Sequence, residues 1–88
     1  MLYSFSIRSE YYYRRLRDLR EDHDMLQREI AEYLKMHPVQ YCRYENGQRD
    51  VPTKVLIRLA VLYDTSVDYL LGLTNNPKPY KNLPEESL

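Results

Sequence analysis

The side chains best equipped for chemistry lie close together in mid-chain: His37, Gln40 and Arg43, with Pro38 and Val39 between them. An arginine offers a rigid fork of donors to paired acceptors, and a glutamine amide offers a donor and an acceptor. Valine adds apolar contact. Such a set suits recognition of a surface that carries a hydrogen-bond pattern. It does not suit bond making. No nucleophile–base pair or glycine-rich phosphate loop stands near it, and a chain with two glycines can hardly build such a loop. No Cys/His cluster has zinc spacing, and the single cysteine, Cys42, cannot form an internal disulfide. Cys42 reads as a small apolar filler, with a redox role the lesser alternative. No enzyme, metal or cofactor is expected.

These residues need a frame, and the stretch from Gln27 to Gly47 supplies one. Ile30, Ala31 and Leu34 fall at i, i+1 and i+4, a single apolar face of a helix. Lys35, Met36 and His37 interrupt the pattern. Pro38 suits the first position of a new helix, where its missing N–H is no loss. From Pro38 to Asn46, Tyr41 and Tyr44 share one side. Val39, Arg43 and Asn46 lie within about 60° of one another on the opposite side, at about 100° per residue. Gly47 ends the helix in the left-handed conformation that glycine tolerates. The spacing predicts two short helices joined by a tight turn: a helix-turn-helix.

At these residues a family resemblance enters. Gln27, Ile30-Ala31, Leu34, Tyr44-Glu45-Asn46-Gly47 and Pro52 resemble the Cro and phage-repressor class of helix-turn-helix proteins (XRE-like transcriptional regulators). So do Leu16-x-x-Leu19-Arg20 upstream and Asp68-Tyr69-Leu70-Leu71-Gly72-Leu73-Thr74 downstream. The likeness covers roughly Leu16 to Thr74. It implies an all-α, five-helix bundle of the lambda-repressor-like DNA-binding type. The implied function is sequence-specific binding of double-stranded DNA by a transcriptional regulator, a repressor acting as a homodimer. In such a motif the second helix enters the major groove, where base edges carry a full donor and acceptor code. His37, Pro38, Val39, Gln40 and Arg43 are then the base readers, with Arg43 suited to guanine, Gln40 to adenine and Val39 to a thymine methyl. By the same resemblance Gln27 and Asn46 hold phosphates, assisted by Gln48 or Arg49. Arg20 and Glu45 form a structural ion pair, since Glu45 shares the inward side of its helix with Tyr41.

Three residues depart from the family's pattern. Leu26 stands where Ser or Thr usually caps the first motif helix, and Asp24 of Asp24-x-x-Gln27 is expected to take over as the cap. Lys35 stands where the turn usually has glycine, at a strain of about 1–2 kcal/mol if the turn stays left-handed. His37 replaces a Ser or Thr cap, either capping in their place or reaching phosphate when protonated.

Composition frames the rest. Eighty-eight residues make one small domain, 43% apolar and 30% charged, with no run long enough for a membrane span and no secretory signal pattern. A reducing cytoplasm fits. Thirteen basic and thirteen acidic residues cancel, but the charge is unevenly placed. Lys35, Arg43, Arg49, Lys54 and Arg58 face only Glu45 and Asp50 within the segment 35–58, a local excess of three positive charges. Residues 1–8 alternate Tyr3, Phe5 and Ile7 with Ser4, Ser6 and Arg8, which is either a strand signature or a frayed arm. The domain proper is expected over 9–74. Ser9 would cap a helix from Tyr11 to about Asp22, with Tyr12, Leu16 and Leu19 inward and Arg14, Arg15 and Arg17 either solvated or on phosphates. Thr53 would cap a helix to about Tyr63, with Leu56, Leu59 and Ala60 inward, and Ser66 would cap the last helix before Gly72. Residues 75–88 read as an extended or disordered tail. Neutral net charge and an apolar start to the reading helix also permit a protein-interaction module or antitoxin-type protein, whose partner would be another protein.

Overall fold

The computed structural model describes residues 11–80, and over that span the chain forms five helices. They are α1 (Arg14–Asp22), α2 (Gln27–Leu34), α3 (Pro38–Glu45), α4 (Thr53–Leu62) and α5 (Val67–Leu71). The fold is all-α, with no strand among the described residues. The arm or strand expected at 1–8, the cap at Ser9 and the tail beyond Tyr80 lie outside them.

One core joins all five helices. Leu16 of α1, Ile30 of α2, Tyr41 of α3, Leu59 of α4 and Leu70 of α5 are its most deeply buried side chains. Each such aliphatic side chain contributes about 1.5–3 kcal/mol relative to exposure. α2 packs chiefly on α3, α4 on α5, and α1 bridges α3 and α5. α3 is therefore held from beneath by α1 and α2, with its far side left open.

Every helix ends in the same way. A residue with positive φ follows α1 (Asp24, 55°), α2 (Lys35, 58°), α3 (Gly47, 75°), α4 (Asp64, 53°) and α5 (Gly72, 82°). In each case its own N–H and the next one turn back to carbonyls of the last helical turn. At α2 these are Lys35 N to Glu32 O, 3.0 Å, and Met36 N to Ala31 O, 2.9 Å. At α3 they are Gly47 N to Tyr44 O, 3.2 Å, and Gln48 N to Arg43 O, 2.9 Å. This is the Schellman closure, which satisfies carbonyls that the helix itself leaves orphaned. Met25 and Met36, each following a left-handed residue, pack against the core.

Helix starts differ from expectation at three places. α1 begins at Arg14 instead of Tyr11, because Tyr13 is extended and its carbonyl accepts the first helical bond, from Leu16 N (3.1 Å). Tyr13, three residues before Leu16, thus takes the core position expected of Tyr12. Asp24 does not cap α2, because it is consumed as the left-handed residue closing α1. Glu29 does the work from inside α2, its carboxylate accepting from Leu26 N at 2.8 Å. Thr53 is the first residue of α4 and makes no capping bond; Pro52 precedes it at φ −60°. At α5 the expected cap forms, with Ser66 Oγ accepting from Tyr69 N at 3.0 Å.

Two arginines fasten the periphery. Arg58 donates to Tyr33 O (2.8 Å) while the Tyr33 hydroxyl donates to Arg58 O (2.8 Å), stitching α2 to α4. Arg15 is neither solvated nor free for phosphate. It donates to Tyr69 O (2.9 Å), Thr74 O (2.5 Å) and Asn75 Oδ1 (2.8 Å), and lies over the Tyr69 ring at 3.9 Å. Thr65 Oγ1 donates to Pro77 O at 2.6 Å, and the Tyr80 hydroxyl donates to Asp68. Residues 75–80 are irregular, and these bonds pin them to α1, to Thr65 and to α5. Arg14 and Arg17 are solvated, paired within α1 to Asp18 and Glu21.

Among the described residues, Lys35 is the one left-handed residue with neither glycine's freedom nor the short polar side chain that eases this conformation in aspartate. Replacing Lys35 by glycine should therefore stabilise the chain by about 0.5–1 kcal/mol, raising its melting temperature by a few degrees. Gly72→Ala, at φ 82° with open space around the added methyl, should lower it through backbone strain alone. Paired thermal melts would check both signs.

Candidate nucleic-acid interface

The open side of α3 is built from its inward side. Tyr41, Tyr44 and Glu45 point into the protein, with Tyr41 wholly buried and Glu45 3% exposed. A lone carboxylate at such depth is costly, so its partners decide the geometry. Arg20 reaches it from α1 with two parallel bonds, Nε to Oε2 at 2.6 Å and Nη2 to Oε1 at 3.1 Å. The remaining donor of the fork, Nη1, goes to Met25 O at 2.8 Å, at the end of the α1–α2 turn. Gln27, the first residue of α2, donates from Nε2 to Glu45 Oε1 at 3.1 Å. One carboxylate thus ties α3 to both α1 and α2.

Burial pushes Glu45 up, but hydrogen bonds from Arg20 and Gln27, with the Arg20 charge, outweigh it and hold the carboxyl below its ordinary value. Its hydrogen bond to Glu45 holds Arg20 above its own. The Tyr41 hydroxyl adds to the stabilisation of the carboxylate by proximity, without forming a hydrogen bond of regular geometry. Tyr63 also buries its hydroxyl without such a bond. Burial, then the nearby Glu45 charge, push both phenols up and keep them neutral.

On the outward side, His37, Pro38, Val39, Gln40 and Arg43 are all exposed. His37 precedes α3, and its Nδ1 accepts from Val39 N at 3.2 Å. The imidazole is thus the expected cap, and its other nitrogen is the one left for a ligand. His37, Val39, Gln40 and Arg43 line an open cleft of about 610 Å³ together with Tyr44, Arg49 and Asp50. Pro38 and Gln48 do not line it. Arg43 makes no ion pair among the described residues. Lys35, Arg49 and Lys54 are exposed as well, whereas Glu45 is neutralised inside by Arg20.

The residues expected on phosphate are placed less uniformly. Arg49 and Gln48 are exposed in the loop after Gly47. Asn46 is exposed at the end of α3, its Nδ2 donating to Cys42 Sγ at 3.3 Å. The half-buried Gln27 turns its amide nitrogen inward, to Glu45. Two cleft residues escaped the sequence reading. Asp50 gave no signal beyond its position; its carboxylate caps Val51 N at 3.0 Å. The sequence places Tyr44 only on the same side as Tyr41, yet its hydroxyl accepts from Gln40 Nε2 at 3.3 Å. The i, i+4 spacing of Gln40 and Tyr44 was the available clue.

Because its folded pKa is depressed, Glu45 contributes stability that is complete above the unfolded value, about 4.3, and lost as pH falls through the lower folded value. Glu45→Gln, which strands Arg20, should cost about 3 kcal/mol at neutral pH and flatten the acid limb of stability below about pH 4. Denaturant titrations of both proteins between pH 2.5 and 7 would check this. An unchanged midpoint would place the pair in water.

The comparisons with known proteins agree with this geometry. Residues 16–70 match the family described as Helix-turn-helix. The chain is 43% identical over 77 residues to the uncharacterized HTH-type transcriptional regulator YobD of Bacillus subtilis, covering 84% of this chain and 69% of that protein. It is 39% identical over 59 residues to the HTH-type transcriptional regulator ImmR of Bacillus subtilis, covering 67% of this chain and 46% of that one. A crystal structure of a transcriptional regulator from Listeria innocua superposes with a TM-score of 0.67 at 27% identity, covering 80% of this chain and 64% of that one. The chain thus spans about two thirds of YobD and less than half of ImmR. Five helices, a left-handed turn between α2 and α3, a buried Arg20–Glu45 pair beneath α3 and these matches have one reading: the chain belongs to the helix-turn-helix family of transcriptional regulators of the Cro and phage-repressor type.

Proposed function

We propose that the chain is a sequence-specific double-stranded DNA-binding repressor that acts in the cytoplasm as a homodimer, inserting α3 into the major groove. The observation that carries this reading is the outward side of α3: His37, Val39, Gln40 and Arg43 stand together in one open cleft, beside Arg49. The exposed cations Lys35 and Lys54 add positive charge to the same half of the chain. Arg43 reads guanine through O6 and N7, Gln40 reads adenine and Val39 packs on a thymine methyl. His37 donates from its free ring nitrogen, and Pro38 shapes the start of the helix beside it. Asn46, Gln48 and Arg49 contact phosphate, which sets register without reading sequence. Gln27 joins them through its backbone at the start of α2, since its amide nitrogen is engaged by Glu45.

Two copies would read half-sites about one helical turn apart, roughly 34 Å, related by a two-fold axis. Apolar residues of α5 and just after it support such pairing: Leu73 is 73% exposed, and Val67 and Leu71 are half-buried. Bound in this way, the dimer would repress by occupying its site.

Selection from a pool of random duplexes across a salt series should enrich a two-fold symmetric site. Arg43→Ala should cost about 1–3 kcal/mol and relax one base position, whereas Arg49→Ala should weaken all sequences alike and lower the salt slope by about one. No binding by the wild type even at low salt would overturn the reading and turn the search to a protein partner.

A further inference from the structure

Among the described residues that line the α3 cleft, Asp50 is the one carboxylate. It is exposed, in the loop between α3 and α4, and shares the cleft with two cations, Arg43 and Arg49. Neither forms an ion pair with it among the described residues. Its Oδ1 is engaged from two other sides. Val51 N donates to it at 3.0 Å, and the Tyr13 hydroxyl, just before α1, reaches it at 3.5 Å, the long limit of a hydrogen bond. Val51 is 6% exposed and Tyr13 packs against the core, so both donors are held in place. Oδ2 makes no hydrogen bond or ion pair among the described residues.

The polarity of this group follows from its chemistry. A carboxylate accepts hydrogen bonds and donates none, so Oδ2 can be matched only by a donor. On DNA the phosphate oxygens are acceptors, and so are guanine O6 and N7 and thymine O4 in the major groove. The donors there are cytosine N4 and adenine N6. A polar group buried at an interface without its match costs free energy, and a charge set against like charge is rejected further. We propose that Asp50 is a specificity-determining residue of the cleft: its carboxylate admits a base with an exocyclic amino group, cytosine N4 or adenine N6, and penalises duplexes that put an acceptor in its place. The proposal rests on the DNA-binding reading above. It adds selection by exclusion to the attraction that Arg43 and Arg49 supply.

The test compares wild type with Asp50→Asn on the selected site, each half-site position varied singly to all four bases, and on a random-sequence duplex, across a salt series. Asp50→Asn keeps the oxygen that accepts from Val51 N, removes the charge and puts a donor where Oδ2 stood. A thermal melt confirms that it folds. Wild type should prefer cytosine or adenine over guanine and thymine by about five-fold or more at one position per half-site, distinct from the position that Arg43→Ala relaxes. Cytosine alone assigns N4 as the donor, and adenine alone assigns N6. Asp50→Asn should cut that preference below about two-fold or turn it toward guanine or thymine, with the other positions unchanged. It should also bind the random-sequence duplex about three-fold or more tighter at low salt, a gain that fades as salt rises. Full retention of the preference by Asp50→Asn overturns the proposal. So does an equal change on every sequence, the mark of a net-charge or loop-ordering effect. Wild type that binds no DNA removes the functional reading and this one with it, whereas a wild type that selects its site with Asp50→Asn unaltered removes this one alone.

Discussion

The Glu45 carboxylate is the point on which the rest of the architecture turns. α3 is only eight residues long and would not hold its direction by itself. Apolar packing of Tyr41 and Tyr44 presses it onto the core, but packing alone permits small rotations and slides. A bidentate bond from Arg20 permits few, because two parallel bonds fix distance and plane together. Gln27 adds a third bond from another helix, and the Arg20 fork simultaneously grips the α1–α2 turn at Met25. Replacing the pair with apolar residues of similar volume would often be tolerated for stability. What such a core would lose is the one arrangement of α1, α2 and α3 that aims the outward side of α3 in a defined direction.

The helix ends show a second economy. The chain has two glycines, and both follow helices in the left-handed conformation. The same closure occurs three more times on Asp24, Lys35 and Asp64. Two carry aspartate, whose short polar side chain eases the conformation. Lys35 has no such help and sits in the turn between α2 and α3, where the turn geometry sets how α3 leaves α2. The strain is borne because the following Met36 is drawn into the core while its N–H closes on Ala31 O.

Much of this was legible in the sequence, for identifiable reasons. α2 and α3 show apolar periodicity, a proline at a helix start and a glycine at a helix end, all local signals that depend on backbone sterics. The Arg20–Glu45 pairing came from resemblance; the inward side of Glu45 came from helix geometry. Asp24 was misread because a residue between two helices can serve either, and its side chain fits a cap as well as a left-handed turn. Thr53 failed as a cap because Pro52 already sets the backbone at that start. Arg15 was invisible: its partners are backbone carbonyls of Tyr69 and Thr74, more than fifty residues away. No composition or period encodes a contact of that kind.

The outward side of α3 is not a row of independent side chains. His37 is anchored to Val39 N, Gln40 to the Tyr44 hydroxyl and Asn46 to the Cys42 sulfur, each within one turn. Each anchor restricts its side chain before any ligand arrives, so less entropy would be lost on binding. Arg43 differs: it is exposed and has no ion-pair partner among the described residues. Its long side chain would lose more freedom on docking, a cost that a bidentate contact would offset. On the DNA-binding reading proposed above, the anchored side chains would give the face its shape, and Arg43 would add affinity where the ligand presents a matching pair of acceptors.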